Sequence, residues 1–393
     1  MKSSFQYLKR LFNKKHAVVL DDFFPNLLTG FRVAEYNWYL ECFPQLTVYS
    51  TNPDFETVHA AYSQRYPQHA NRVKAYDETS LNDCAFAYMN FLNNAHYFLN
   101  ALTSHDTRFL MTLYPGGGFG LREPESDAKL ARVLGSPLLC GIIATQSVTI
   151  DYLIAKNCRA PVYDIYGGAM NPAYFDELKR NKQSCPESGM PYICFVADRY
   201  MFQGKNKGYP QFIEAAKLLI EEFPDLRFTV VGSFNSSDYP LDEQLRKSIS
   251  FKGLLFTTEL KEFFLTQDII ISPNRPFLLT PGNFDGFPTA CCMEASLCGV
   301  AVVCSDELKL NRFYNNGEDI IICDPVPEVI AKKVSDLIRN PYLLKSIGAC
   351  GQRVSRKVFD PIRQLGQRAD LLANYAIATD ANIGSRRGPR LLG

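Results

Sequence analysis

Short apolar runs alternate with amphipathic, helix-length segments along almost the whole chain, and this alternation limits the folds open to it more than any other feature. The runs are near-continuously apolar, as strands buried on both faces must be. They include AVVLD at 17–21, RFLMTLY at 108–114, CGIIAT at 140–145, PYICFVA at 191–197, DIIISP at 268–273 and VAVVCS at 300–305. Strands separated by helices cannot be joined as tight hairpins, and the crossover favours parallel pairing. The pattern therefore predicts an α/β fold with helices over both faces of a parallel sheet.

The alternation comes in two series. At 393 residues the chain is long for one domain of about 100–200 residues, and it has apolar material for two cores. Between the series, AMNPAYFDELKRNKQSCPESGMP at 169–191 is polar and proline-containing, and we read 167–190 as the connection. Residues 1–175 and 176–358 are the expected domains. A last helix at 359–380 follows Pro361, and a Gly/Arg-rich end at 381–393 is expected to be disordered. Within the series the spacing predicts a helix starting near Phe31, a long helix over 85–103, a strand over FKGLLF at 251–256 and a helix over 288–298.

Composition excludes several functions. Forty-two Lys plus Arg against forty-one Asp plus Glu leave a formal charge of +1, so no global field draws in nucleic acid. No apolar run is long enough to span a bilayer, and the N-terminus lacks the apolar stretch of a signal peptide. Residues 1–15 read as a short basic amphipathic helix, with Phe5, Leu8 and Phe12 on one face; it would either touch anionic lipid or pack on the domain. The 12 cysteines form no Cys-x-x-Cys pair and mostly sit in apolar runs, the pattern of buried thiols in a reducing, cytoplasmic compartment, with no metal site. The 28 Phe and 21 Tyr are expected in the cores before any ligand-contacting surface.

In open parallel sheets ligands bind beyond the C-terminal ends of the strands. Three segments lie there. After the first strand, Gly30 precedes a helix whose N-terminus could approach an anion, although neither a dinucleotide fingerprint nor a Walker sequence is present. After PYICFVA, Arg199 and Lys207 bracket a glycine-containing loop, and two cations there could neutralise a diphosphate. The third segment is NFDGFPTACCMEASLCGVAVVCSD at 283–306. Asp285 sits in a Gly/Pro turn, Gly286, Phe287 and Pro288 lead into a small-residue helix, and Glu294 lies two turns in, where a buried carboxylate needs partners. TLYPGGGFGL at 112–121 could admit an acceptor close to the backbone. His96 and His105 read as structural and exposed, respectively, rather than as catalytic bases.

The stretches KGYPQFIEAAKLL, FTVVGS, LKEFFLTQDIIISP, DGFPTACCMEASLCGVAVVCSDELK and NNGEDIIICDP, in this order, resemble the retaining glycosyltransferases of family 4, within the large GT-B class. The resemblance covers nearly all of 191–357 and is thinner before it. It implies two doubly wound Rossmann-like domains facing an interdomain cleft, with the final helix crossing back to the N-terminal domain. It implies a nucleotide-diphosphate sugar as donor, a glycan or lipid-linked acceptor, and no metal; the expected location is the cytoplasm, with the inner face of the membrane open to it through residues 1–15. On it, Arg199 and Lys207 match the pair that contacts the donor diphosphate, and Gly30 the glycine loop facing that diphosphate. Glu294 matches the acid that holds the ribose. Asp285 stands near the first acid, which meets the donor sugar. It departs from the family in being Asp and in lying nine residues before Glu294 instead of eight. Two alternatives stay open: another GT-B nucleotide-sugar chemistry, epimerase-like, and a degenerate GT-B binding subunit of a polysaccharide-assembly complex, which the altered first acid keeps alive.

Overall fold

The computed structural model describes residues 16–176 and 189–377 and divides into two compact units. One is formed by the chain up to Ala169 together with the chain from Pro361 on. The other is Met170–Asp360. The basic segment 1–15, most of the polar connection and the 381–393 end lie outside the described residues.

The first unit has strands β1 (His16–Asp21), β2 (Thr47–Ser50), β3 (Val73–Ala75), β4 (Cys84–Asn90), β5 (Arg108–Leu113), β6 (Leu139–Ala144) and β7 (Val162–Asp164). Its helices are α1 (Gly30–Cys42), α2 (Phe55–Arg65), α3 (Leu92–Ser104), α4 (Pro124–Leu134) and α5 (Ser147–Ala155). The sheet is parallel throughout in the order β3-β2-β1-β4-β5-β6-β7, with Val19 opposite both Val48 and Tyr88. The order reverses at β1, which puts the ends of β1 and β4 at the switch point.

One element departs from the sequence expectation. The stretch 85–103 is not one helix: CAFAYMN forms β4, and the helix begins only at Leu92. A short, fully apolar run fits strand and helix equally well. Pairing with β1 and β5 decides for strand, and Phe91, at φ 71°, turns the chain between the two elements.

The second unit carries β8 (Tyr192–Val196), β9 (Arg227–Val231), β10 (Ile249–Phe251), β11 (Ile269–Ser272), β12 (Ala301–Cys304) and β13 (Ile321–Ile322), all parallel, in the order β10-β9-β8-β11-β12-β13. Around them lie α6 (Tyr209–Glu222), α7 (Glu243–Ser248), α8 (Thr257–Phe264), α9 (Ala290–Leu297), α10 (Pro327–Arg339) and α11 (Pro341–Val358). FKGLLF contributes only Phe251 to a strand, because Gly253 takes a positive φ and ends the pairing. Phe195, Tyr209, Phe212 and Phe234 pack in the core, with Tyr209 and Phe234 ring centroids 4.4 Å apart. These aromatics are core material, as the composition suggested.

After Asp360 the chain makes one π turn (Ile362–Gly366) and the last helix, α12 (Gln367–Ile377), which packs within the first unit. Tyr375 stacks on Phe86 of β4, and its hydroxyl meets that of Tyr163 of β7 at 2.6 Å. Leu372 and Ala373 join the first unit's core. The expected return of the C-terminal helix to the N-terminal domain is what the structure shows.

Candidate functional site

The second unit gathers polar groups where β8, β11 and β12 end. The segment after β8 reaches α6 through a tight turn at Gly208, φ 71°, where a Cβ would lie 2.0 Å from the Pro273 carbonyl oxygen. Only glycine fits so close an approach. The Arg275 N–H donates to the Asn206 carbonyl at 2.9 Å, so the two loops are clamped together. Lys207 lies inside this clamp.

Its ammonium meets both carboxylate oxygens of Asp285 at 2.8 Å. The Asn274 amide donates to Asp285 Oδ2 at 2.6 Å. Burial works against the Lys207 charge, but the Asp285 carboxylate outweighs it and holds the ammonium above its ordinary pKa. The lysine side chain is 13% exposed and the aspartate 34%, so the pair opens on the aspartate side. Asp285, Gly286, Phe287 and Thr289 line an open pocket with Asn274 and Ser305. The ring of Tyr200, itself exposed, lies 5.3 Å from the Lys207 nitrogen.

Helix α9 begins at Ala290, not at 288. Thr289, at the N-cap position, is extended at ψ 159°, and Phe287 precedes a proline, which disfavours helical backbone. Gly286, Phe287 and Pro288 therefore form a loop leading to the helix rather than its first turn. The small residues of this segment have a packing cause: a Cβ on Gly348 of α11 would sit 2.5 Å from the Gly299 carbonyl oxygen, and Ser355 donates to Ser296 at 2.8 Å. What approaches α9 so closely is α11.

Glu294 on α9 is hydrogen-bonded to the Tyr174 hydroxyl. Burial, aided by the neighbouring Cys291, pushes its carboxyl up to about 8, and the tyrosine bond only partly opposes this. Arg199 pairs with Asp238, whose side chain is 7% exposed. This pair lines a second, open depression with Gln203, Ser237, Tyr239 and Arg246. The two sequence-predicted cations thus hold different carboxylates. Gly30 opens α1 in the first unit.

Among the described residues, no three His, Cys, Asp or Glu side chains gather as an ion site, and the eleven cysteines there are free thiols. His96 meets Arg132 at 2.9 Å on the first unit's surface, and His105 bonds the Ala101 carbonyl within its own helix. Reasoning from sequence missed Asn274, Asp238 and Tyr174. Asn274 had a usable signal, since it lies just past the end of a central parallel strand.

Residues 180–354 match the model of the glycosyl transferases group 1. The chain has the GT-B fold of glycosyltransferases. HepE of Anabaena, solved in complex with UDP, superposes with a TM-score of 0.68 at 16% identity, over 91% of this chain and 100% of that one. The sucrose-phosphate synthase of Thermosynechococcus elongatus superposes at 0.66 with 12% identity, covering 93% and 100%. Among curated proteins, EpsD of Bacillus subtilis, named as a glycosyltransferase, is 25% identical over 234 residues, which is 57% of this chain and 58% of that relative. The Lys207–Asp285–Asn274 cluster, Glu294 and Arg199 all lie inside the segment matched to the glycosyl transferase group.

Proposed function

We propose that the chain is a retaining glycosyltransferase that moves a sugar from a nucleotide diphosphate donor to a hydroxyl of a glycan or lipid-linked acceptor. The observation that carries this reading is the half-open Lys207–Asp285 pair, whose aspartate lines a pocket with Asn274, Gly286, Phe287 and Thr289. Lys207 and Arg199 would take the diphosphate, the backbone of Gly286 and Phe287 its oxygens, and Glu294 the ribose hydroxyls. Asp285 would meet the sugar. UDP is the first donor base to test, because HepE binds UDP and UDP-glucose.

In the reaction, the bond between the anomeric carbon and the β-phosphate oxygen breaks, and the acceptor oxygen bonds to that carbon from the same face. The acceptor's proton passes to the departing phosphate oxygen. The side chains thus act by placing the donor and by stabilising the charge that develops on the diphosphate, which requires donors fixed in advance in a partly dry site. The basic segment 1–15 would bring the enzyme to a lipid-linked acceptor at a membrane face. Among the described residues no helix is long and apolar enough to cross one.

A donor panel tests the reading. Nucleotide release is measured from UDP-, GDP-, ADP- and dTDP-sugars, with and without acceptor glycans, for the native chain and Glu294→Ala. We expect one base to be preferred and the variant to lose one to two orders of magnitude in kcat/KM. Release from none of the donors, with the nucleotides still bound, would favour the non-catalytic binding subunit instead.

A further inference from the structure

We propose that Asn274 is a positioning residue that fixes the Asp285 carboxylate for the donor sugar. The inference rests on reading this pocket as a nucleotide-sugar site. Asn274 lies two residues beyond the end of β11 and is held from three sides. The Ser272 hydroxyl donates to its Oδ1 at 3.0 Å. The Ser305 hydroxyl, one residue past β12, donates to its backbone carbonyl. Its own Nδ2 donates to Asp285 Oδ2 at 2.6 Å. An ionised carboxylate only accepts, so the amide must turn its NH2 toward Asp285, and Oδ1 is then left to accept from Ser272. The orientation of the amide is set from both ends.

Lys207 alone could not do this. An ammonium is a compact charge on a flexible stem with three rotatable donors, and it touches both Asp285 oxygens at the same distance. It attracts the carboxylate without choosing its rotation. The planar amide of Asn274 bonds one oxygen only and supplies that choice. Asp285 follows a loop, 275–284, outside any helix or strand, and its side chain is a third exposed. A sugar hydroxyl needs the oxygens in place before it arrives. Arg275, the next residue, does not compete for Asp285, because its guanidinium faces Glu307 at 3.3 Å.

The test uses Asn274→Ala and Asn274→Asp in the full chain. Turnover is followed as nucleotide release from UDP-glucose, or from whichever sugar nucleotide the donor panel selects. Binding of the nucleoside diphosphate alone is measured by calorimetry. We expect kcat to fall about 10- to 100-fold in both variants, the scale of a lost positioning contact, while affinity for the diphosphate stays within about two-fold, because that ligand has no sugar. Asn274→Asp keeps the shape but sets a second carboxylate against Asp285. Its activity should recover as pH falls and one shared proton replaces the amide hydrogen bond, whereas Asn274→Ala should show no such recovery. A kcat within two-fold of native, a parallel loss of diphosphate affinity, or no acid recovery in Asn274→Asp would each overturn the assignment. Lys207→Ala and Glu294→Ala separate this from the site itself. If both bind the diphosphate as the native chain does, the reading of the pocket fails; if they lose it and Asn274 variants behave as native, only the role of Asn274 fails.

Discussion

Each unit holds a cluster of charged side chains near strand ends, and the two clusters differ in how much bonding capacity they keep. In the first unit Glu35 and Arg368 are both fully buried. Glu35 accepts from Tyr39 at 2.8 Å, from Asn90 at 3.0 Å, from Tyr88 and from Tyr114. Arg368 donates to the Gly167 and Gln364 carbonyls and to the Gln364 side chain. Nearby, Asp21 accepts the N–H groups of Phe23 and Phe24, the Tyr36 hydroxyl and the Arg32 guanidinium. These carboxylates are saturated and sealed. In the second unit Asp285 is held by Lys207 and Asn274 with a third of its side chain in solvent, and Glu294 accepts from the Tyr174 hydroxyl and has a raised pKa. A saturated cluster fastens the fold. A cluster with lone pairs to spare can take a ligand.

The largest effect should come from the sealed cluster. Arg368→Ala would leave Glu35 buried with its nearest cation gone, and breaking a buried pair on one side costs about 3–5 kcal/mol. We expect a large drop in the unfolding transition of the first unit, seen in urea melts, and loss of the docked C-terminal helix. Replacing Glu35 and Arg368 together by leucine should cost much less than the two single changes added, because no charge is left stranded. If Arg368→Ala melted as the native chain does, the cluster would not be the fastening described.

Lys207→Ala should show the opposite profile. Removing one donor that stabilises a developing anion typically costs about 10²–10³ in kcat. Stability should fall only modestly, since Asp285 keeps a third of its side chain in solvent and the Asn274 amide as a partner. Nucleotide release and a thermal melt on the same sample check both halves of this expectation. A melting loss comparable to that of Arg368→Ala would place Lys207 with the structural charges.

These two clusters were not equally visible in the chain. Alternating apolar runs announced the parallel sheets, and strand-end loops pointed to Lys207, Asp285 and Glu294. The Arg368–Glu35 pair joins the two ends of the chain, and no local pattern encodes a contact made only by tertiary packing. Asn274 was hidden differently: loop 275–284 separates it from Asp285, so neither spacing nor periodicity links them. The strand β4 was missed because CAFAYMN is apolar up to its last residue, Asn90, and what distinguishes strand from helix there is pairing with β1 and β5, not composition. The small residues of α9 are visible in the sequence, but only the structure shows that α11 is what packs closely against them.

Glu294 gives a prediction in pH. Its carboxyl is ordinarily near 4.5 and is pushed up to about 8 in the folded chain. Between these values the folded state keeps a proton that the unfolded state has lost, so this residue makes stability fall as pH rises through the window. Glu294→Gln should remove that slope and be the more stable form above about pH 8. Ribose hydroxyls would donate to the ionised form, so nucleotide binding should release a proton and tighten as pH rises toward 8. Calorimetry in buffers of different ionisation enthalpy reads that proton directly. A binding enthalpy independent of buffer would mean that the nucleotide does not engage this carboxylate.

The smallest effect is expected at Arg199–Asp238, which shares features of both clusters: the aspartate is nearly buried, the arginine 38% exposed. An ion pair open to solvent on its arginine side contributes about 0–1 kcal/mol, and the asparagine oxygen can still accept the Asn235 N–H, so Asp238→Asn should barely move the melt. Its use would lie elsewhere. While Asp238 holds the guanidinium, a diphosphate must compete for it, and neutralising the aspartate should raise nucleotide affinity a few-fold and make it more sensitive to salt. Arg199→Ala should lower that affinity and abolish the gain from Asp238→Asn in the double variant. If Asp238→Asn weakened binding instead, the aspartate would be presenting Arg199 to the ligand rather than withholding it, and Arg199–Asp238 would belong with the prearranged groups around Lys207.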